Sequence, residues 1–157
     1  MDHFEKSCGV CQRICETIEG KNRYFVKELS TGYVVLGDYQ RFPGYTLFLC
    51  KKHVTELHFL EEDFRMQFLR EMSLVAEAVH RAFGADKINY ELLGQGRNAH
   101  MHWHIFPRKK GDTPKPGPVW QVWPEEMYDK RFLPSDEELE KMKIKLLKEL
   151  NELLKTK

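Results

Sequence analysis

The run His100-Met101-His102-Trp103-His104-Ile105-Phe106-Pro107-Arg108 places three of the chain's seven histidines at every second position. Apolar residues fill the gaps. On a β-strand, alternate side chains go to opposite faces, so the pattern lines three imidazoles along one face and sends Met101, Trp103 and Ile105 to the other. Imidazole changes charge near neutral pH and can serve as nucleophile, base, cation or metal ligand. It attacks phosphorus without a separate base when the attacking nitrogen is unprotonated and the other nitrogen is held as a donor. A neighbouring backbone carbonyl can accept that second proton. Flanking histidines can then bind phosphoryl oxygens or stabilise charge that grows in the transition state. On this reading His102 is the nucleophile, His100 and His104 are its neighbours, and Arg108 adds charge or pairs with a carboxylate.

Two other readings of the same residues stand beside this one. The histidines are polar residues of a half-exposed strand, or His-x-His holds a catalytic zinc. Local spacing does not choose between them.

The elements that must position this strand are legible around it. Arg23 to Glu28 and Tyr33 to Gly37 read as strands separated by a Ser30-Thr31-Gly32 turn. Pro43-Gly44 marks a turn after the loop that begins at Asp38, and Tyr45 to Cys50 is a third, nearly all-apolar strand. From Glu61 to Phe83 the period changes: Phe64, Phe68, Met72, Val75 and Val79 fall at helical spacing, with Gly84 as the stop. Ile88 to Leu93 and His100 to Phe106 are the fourth and fifth strands. The polar loop Gly94-Gln95-Gly96-Arg97-Asn98 joins them. Cys8-Gly-Val-Cys11 reads as a short turn. Ser135-Asp-Glu-Glu138 has capping-box spacing, and Leu139, Met142, Leu146, Leu150 and Leu153 form the stripe of a final helix. Lys109 to Pro118 is rich in proline and glycine, so an extended course is expected there. Val119 to Phe132 is too aromatic for a free tail; it packs back on the domain or on a partner, or Trp120 and Trp123 stack a base. The expectation is an α+β fold, an antiparallel sheet of five strands with one long inserted helix and a C-terminal helix.

The bulk numbers narrow the classes. A length of 157 residues fits a single domain, here an N-terminal Cys-x-x-Cys segment (1–20), a core (21–108) and a C-terminal extension with its helix (109–157). Lys+Arg 25 against Asp+Glu 24 argues against a large nucleic-acid or anionic-membrane surface. No apolar run is long enough to span a bilayer, and Met-Asp-His-Phe-Glu-Lys lacks a signal-peptide pattern, so a cytoplasmic location is expected. In that setting Cys8, Cys11, Cys15 and Cys50 read as thiols or metal ligands rather than a disulfide framework. Cys50 reads as core. Lys51-Lys52 and Lys109-Lys110 read as solvated charge, with polyphosphate attraction as the functional alternative.

His100-Met-His102-Trp-His104-Ile-Phe resembles the signature of the histidine triad (HIT) superfamily, His-φ-His-φ-His-φ-φ with φ apolar. Pro43-Gly44-Tyr45 running to Lys51-Lys52-His53, the inserted helix and the Asn89-Tyr90 strand resemble that family in the same order, so the likeness covers roughly residues 8 to 108. It implies a five-stranded antiparallel meander, two copies joined as a homodimer, and a nucleotide hydrolase or transferase. Cleavage at the α-phosphate would pass through a covalent nucleotidyl-His102. His104 would contact the α-phosphate, and no cofactor is required for the chemistry. The implied substrate is an adenine or other purine nucleotide conjugate, with diadenosine tetraphosphate, as in bacterial-type hydrolases of that compound, the first choice. A nucleotidyltransferase or phosphorylase, and a low-turnover nucleotide-binding protein, are the alternatives. Asp38 would hold the ribose, against the alternative of a turn-forming Asp between strands, and Gln95 and Asn98 the phosphate and leaving group. Two departures stand out: many members have histidine where this chain has Tyr45, and the loop before the triad carries no hydroxyl. HIT branches with a structural zinc use two N-terminal cysteines, the corner histidine and the first triad histidine. Here those are Cys8, Cys11, His53 and His100, against the alternative of free thiols and a strand-capping His53.

Overall fold

The computed structural model describes residues 5–156. Met1 to Phe4, the opening of the N-terminal reading, lie outside these residues. Helix α1 (Gly9–Ile18) comes first. Strands β1 (Phe25–Glu28), β2 (Gly32–Leu36) and β3 (Thr46–Cys50) follow as consecutive antiparallel neighbours. Helix α2 (Glu62–Phe83) then carries the chain across the sheet to β4 (Lys87–Glu91), and β5 (His102–Arg108) returns between β4 and β3. The sheet order is β1-β2-β3-β5-β4. A short helix α3 (Pro124–Met127) precedes the last helix, α4 (Asp136–Lys155).

The expected strands are all present, with ends moved by no more than two residues. The largest change lies at the start. Cys8-Gly-Val-Cys11 is the opening of α1, whose Val10, Cys11, Ile14 and Thr17 are buried at helical spacing. Reading that segment as a turn missed this stripe. Helix α2 follows the sequence closely and ends at Gly84, which takes φ +60° in the left-handed region. The α4 capping box forms as spaced: Ser135 Oγ accepts from Glu138 N–H, and Glu138 from Ser135 N–H.

Helices α2 and α4 pack together over one face of the sheet. Val34, Phe48, Met101, Ile105, Phe68, Val75, Leu146 and Leu150 fill that core, each at most 2% exposed. At about 25 cal/mol per Å2 of apolar surface removed from water, such burial supplies most of the drive to fold. Glu71 of α2 is buried beneath the β1–β2 turn. Burial pushes its pKa up, but hydrogen bonds from Thr31, Gln67 and Ser30 outweigh that and hold it low. The opposite sheet face is only partly covered, by α1 and by the segment after β5. There Val119 packs with Phe42 and Phe106, while Trp120 and Trp123 remain 70% and 76% exposed. Among the described residues no helix is long and apolar enough to cross a membrane.

Candidate functional site

The open face of the sheet holds a cavity of about 540 Å3. Strand β5 runs along its floor, and the predicted alternation is realised: His102, His104 and Phe106 face the cavity, while Met101 and Ile105 are in the helix-side core. The triad divides, however. His100 precedes the strand and does not line the cavity, because its ring turns toward α1. It contributes to the site through its backbone instead. The His102 Nδ1–H donates to the His100 carbonyl at 2.7 Å, which leaves His102 Nε2 with its lone pair. Burial lowers the pKa of His102, so the ring stays unprotonated near neutrality. His104, with its ring centroid 4.6 Å from that of His102, is lowered to about 4 by the same cause.

Asp38 follows β2 and lines the cavity, as a ribose carboxylate would. Both its oxygens lie 2.6 Å from Arg13 Nη2 of α1. Asn98 lines the cavity from the loop before β5. Gln95 caps the short 3-10 turn Gly96–Asn98 from an exposed position and is not among the lining residues. Arg13 and Glu91 are the charged cavity residues that sequence reading passed over. Arg13 arrives only through the packing of α1 against the sheet. Glu91 is paired with His104 across β4 and β5, and its Oε2 is buried without a partner. Burial raises the Glu91 pKa, while Arg108 acts in the opposite direction. Arg108 itself is bound to Asp112, so the expected carboxylate partner is there, away from the histidines.

A second constellation sits behind the triad. The ligand atoms of Cys8, Cys11, His53 and His100 all lie within 4.8 Å of one another. Cys11 Sγ is 3.1 Å from His53 Nδ1 and 3.3 Å from His100 Nδ1, and Cys8 Sγ is 3.7 Å from His100 Nδ1. Ligands of a tetrahedral zinc lie roughly 3.3–3.8 Å apart, so the donor set fits that ion. Both rings present Nδ1 inward and direct Nε2 to an oxygen: His100 to the Cys50 carbonyl at 2.8 Å, His53 to Glu5 Oε2 at 3.0 Å. Such outer partners are what orient histidine ligands. Cys8 Sγ also accepts from Cys11 N–H at the start of α1, a position that favours thiolates. With His100 committed to this cluster, the triad does not form a three-histidine metal site. Cys50 is fully buried core, and Cys15 lies apart beside Glu19.

The HIT domain family model matches residues 10–111. A histidine triad protein from Marinobacter aquaeolei is 27% identical with a TM-score of 0.69, over 82% of this chain and 89% of that one. A hypothetical histidine triad nucleotide-binding protein from Sulfolobus tokodaii is 25% identical with a TM-score of 0.67, over 88% and 91%. A Zn-bound histidine triad family protein from Mycobacterium smegmatis shares the fold at 20% identity and a TM-score of 0.58, over 92% and 96%. No curated protein matches.

Proposed function

The chain belongs to the HIT domain family, a superfamily of nucleotide hydrolases and transferases, and from that premise we propose that it hydrolyses nucleotide conjugates at the α-phosphate through a nucleotidyl-His102. The observation that carries this is the 2.7 Å bond from His102 Nδ1–H to the His100 carbonyl. It puts the free lone pair on Nε2, in a cavity large enough for a nucleotide. Nε2 forms a bond to phosphorus as the leaving group departs with the bonding electron pair, a polyphosphate as its anion and an amine with a proton taken from solvent. Water then hydrolyses the phosphoramidate and releases the nucleoside monophosphate. His104 contacts the phosphate, Asp38 the ribose, and Asn98 and Gln95 the outer phosphate and leaving group. A transferase or phosphorylase differs only in replacing water with phosphate or a sugar phosphate.

Diadenosine tetraphosphate is the first substrate to assay. A second reading, an amine or uncharged leaving group, is favoured by the charge of the cavity. Arg13 is the cation among its lining residues and is bound to Asp38. Glu91 adds an unpartnered carboxylate. Lys51 instead pairs with Glu28, Lys52 lies over Phe64, and neither they nor Lys109 and Lys110 line the cavity. Intact-protein mass after brief mixing with diadenosine tetraphosphate or adenosine phosphoramidate tests both readings. An added nucleoside monophosphate on wild type, absent from His102→Ala, is expected, with turnover lost by about 10³-fold or more. Equal turnover in the variant removes the proposal. The faster of the two substrates assigns the leaving group.

Zinc in the Cys8, Cys11, His53 and His100 cluster would be structural. It would fix α1 to the sheet and take no part in the phosphoryl step. A homodimer joined through β4 would cover Tyr90, Leu92 and Leu93, which are 49%, 40% and 53% exposed on or just beyond that edge strand. A cytoplasmic setting suits a chain in which none of the four cysteines forms a disulfide.

A further inference from the structure

Tyr45 lies beside the histidine strand, and its surroundings give it a definite task. The Pro43-Gly44 turn delivers it to the cavity: Gly44 has φ +97°, and a Cβ there would meet the Phe83 ring at 2.3 Å. Gly37 makes room for the Tyr45 ring, since a Cβ at that position would lie 2.2 Å from it. The ring stacks on Phe106 at 4.2 Å between centroids and lies nearly parallel to His104. Its hydroxyl ends 2.6 Å from His104 Nδ1. The other ring nitrogen of His104, Nε2, faces the Leu93 carbonyl at 3.3 Å.

Only one arrangement of protons satisfies both contacts. A neutral imidazole carries one N–H. If it were on Nδ1, Nε2 would set its lone pair against the lone pairs of the Leu93 oxygen. With the Tyr45 O–H donating to Nδ1, the proton must sit on Nε2, where it donates to the Leu93 carbonyl at the cavity wall and can turn to a bound phosphoryl oxygen. His102 holds the opposite tautomer, with its proton on Nδ1. The two neighbouring rings therefore present unlike groups: a lone pair from His102 and an N–H from His104.

We propose that Tyr45 is a positioning residue that locks His104 as the Nε2–H donor, so that His104 hydrogen-bonds the phosphoryl oxygens while the nucleotidyl group passes to His102. The inference rests on the function proposed above. No proton leaves His104 in this step. The bond formed is His102 Nε2 to phosphorus and the bond broken is phosphorus to the leaving group, which keeps the electron pair: a polyphosphate leaves as its anion, and an amine, protonated on nitrogen by solvent, leaves as the neutral amine.

The test pairs a spectroscopic readout with kinetics in the full-length protein. Long-range 15N–1H spectra of the imidazoles are expected to show His104 with a bare Nδ1 and a protonated Nε2 in wild type. In Tyr45→Phe that signature gives way to exchange between tautomers. With adenosine phosphoramidate as substrate, kcat for Tyr45→Phe is expected to fall roughly 10- to 100-fold with KM within about threefold. Tyr45→His, which restores a donor, recovers at least part of kcat and of the signature, and also serves as the probe if Tyr45→Phe does not fold. An unchanged His104 signature in Tyr45→Phe, or full kcat without the hydroxyl, overturns the assignment. If wild type forms no nucleotidyl adduct, the functional proposal fails, and the spectra still judge whether Tyr45 sets the tautomer.

Discussion

Two histidines one side chain apart present different groups to the cavity because different neighbours hold their second nitrogens. His102 leans on a backbone carbonyl and His104 on a phenol. Burial lowers the pKa of both, and this sets how the site responds to acid. For His104 the folded value is about 4 against an ordinary 6.5, so between these values the unfolded chain binds a proton that the folded chain refuses. Stability should therefore be full above pH 6.5, decline from there to about pH 4, and level off below. Denaturant midpoints at pH 7 and pH 5 check this, and equal midpoints would contradict the buried neutral rings. The acid limb of kcat/KM should likewise lie below 6.5, the ordinary histidine value, because His102 loses its lone pair only there.

At the level of elements, α1 depends on the sheet. It is a ten-residue helix, too short to hold by itself in water. Its contacts include the small cluster of Val10, Cys11 and Ile14 on Val35 and Leu49, the Arg13–Asp38 pair, and the Cys/His cluster. A metal there ties both ends of a long loop, and the same helix brings Arg13 to the cavity. One zinc per chain by elemental analysis is the expected composition. Chelation, or Cys8→Ala, should remove about 3 kcal/mol of stability and lower Tm by roughly 6–12 °C. An unchanged Tm after complete metal removal, or metal-free protein of full stability, would show that packing alone holds α1.

For the molecule as a whole, the edge of β4 is a surface open to a partner. Unpaired strand edges with apolar side chains invite a partner, and Tyr90, Leu92 and Leu93 form such an edge here. Light scattering should return twice the 18.7 kDa of the chain. Leu93→Lys should shift that value toward one chain at micromolar concentration, and a monomer in the wild type would remove the dimer.

Periodicity alone determined the strand-borne histidines, the long helix to Gly84 and the capped C-terminal helix, because spacing of 2 or 3.6 and a cap are local properties of the chain. The α1 stripe is equally local, but its Cys-x-x-Cys spacing also fits a turn. Which histidine serves which site was not local. Alternation placed all three rings on one side, but the turn of His100 toward Cys8 and Cys11 depends on where α1 docks, some ninety residues away in sequence. The same holds for Arg13 on Asp38, Glu91 beside His104, and the Tyr45 hydroxyl on His104 Nδ1. Each is a contact between elements, set by sheet order and packing. Residue type and spacing fixed which groups were available for chemistry; only the tertiary structure decided which nitrogen of each ring is free.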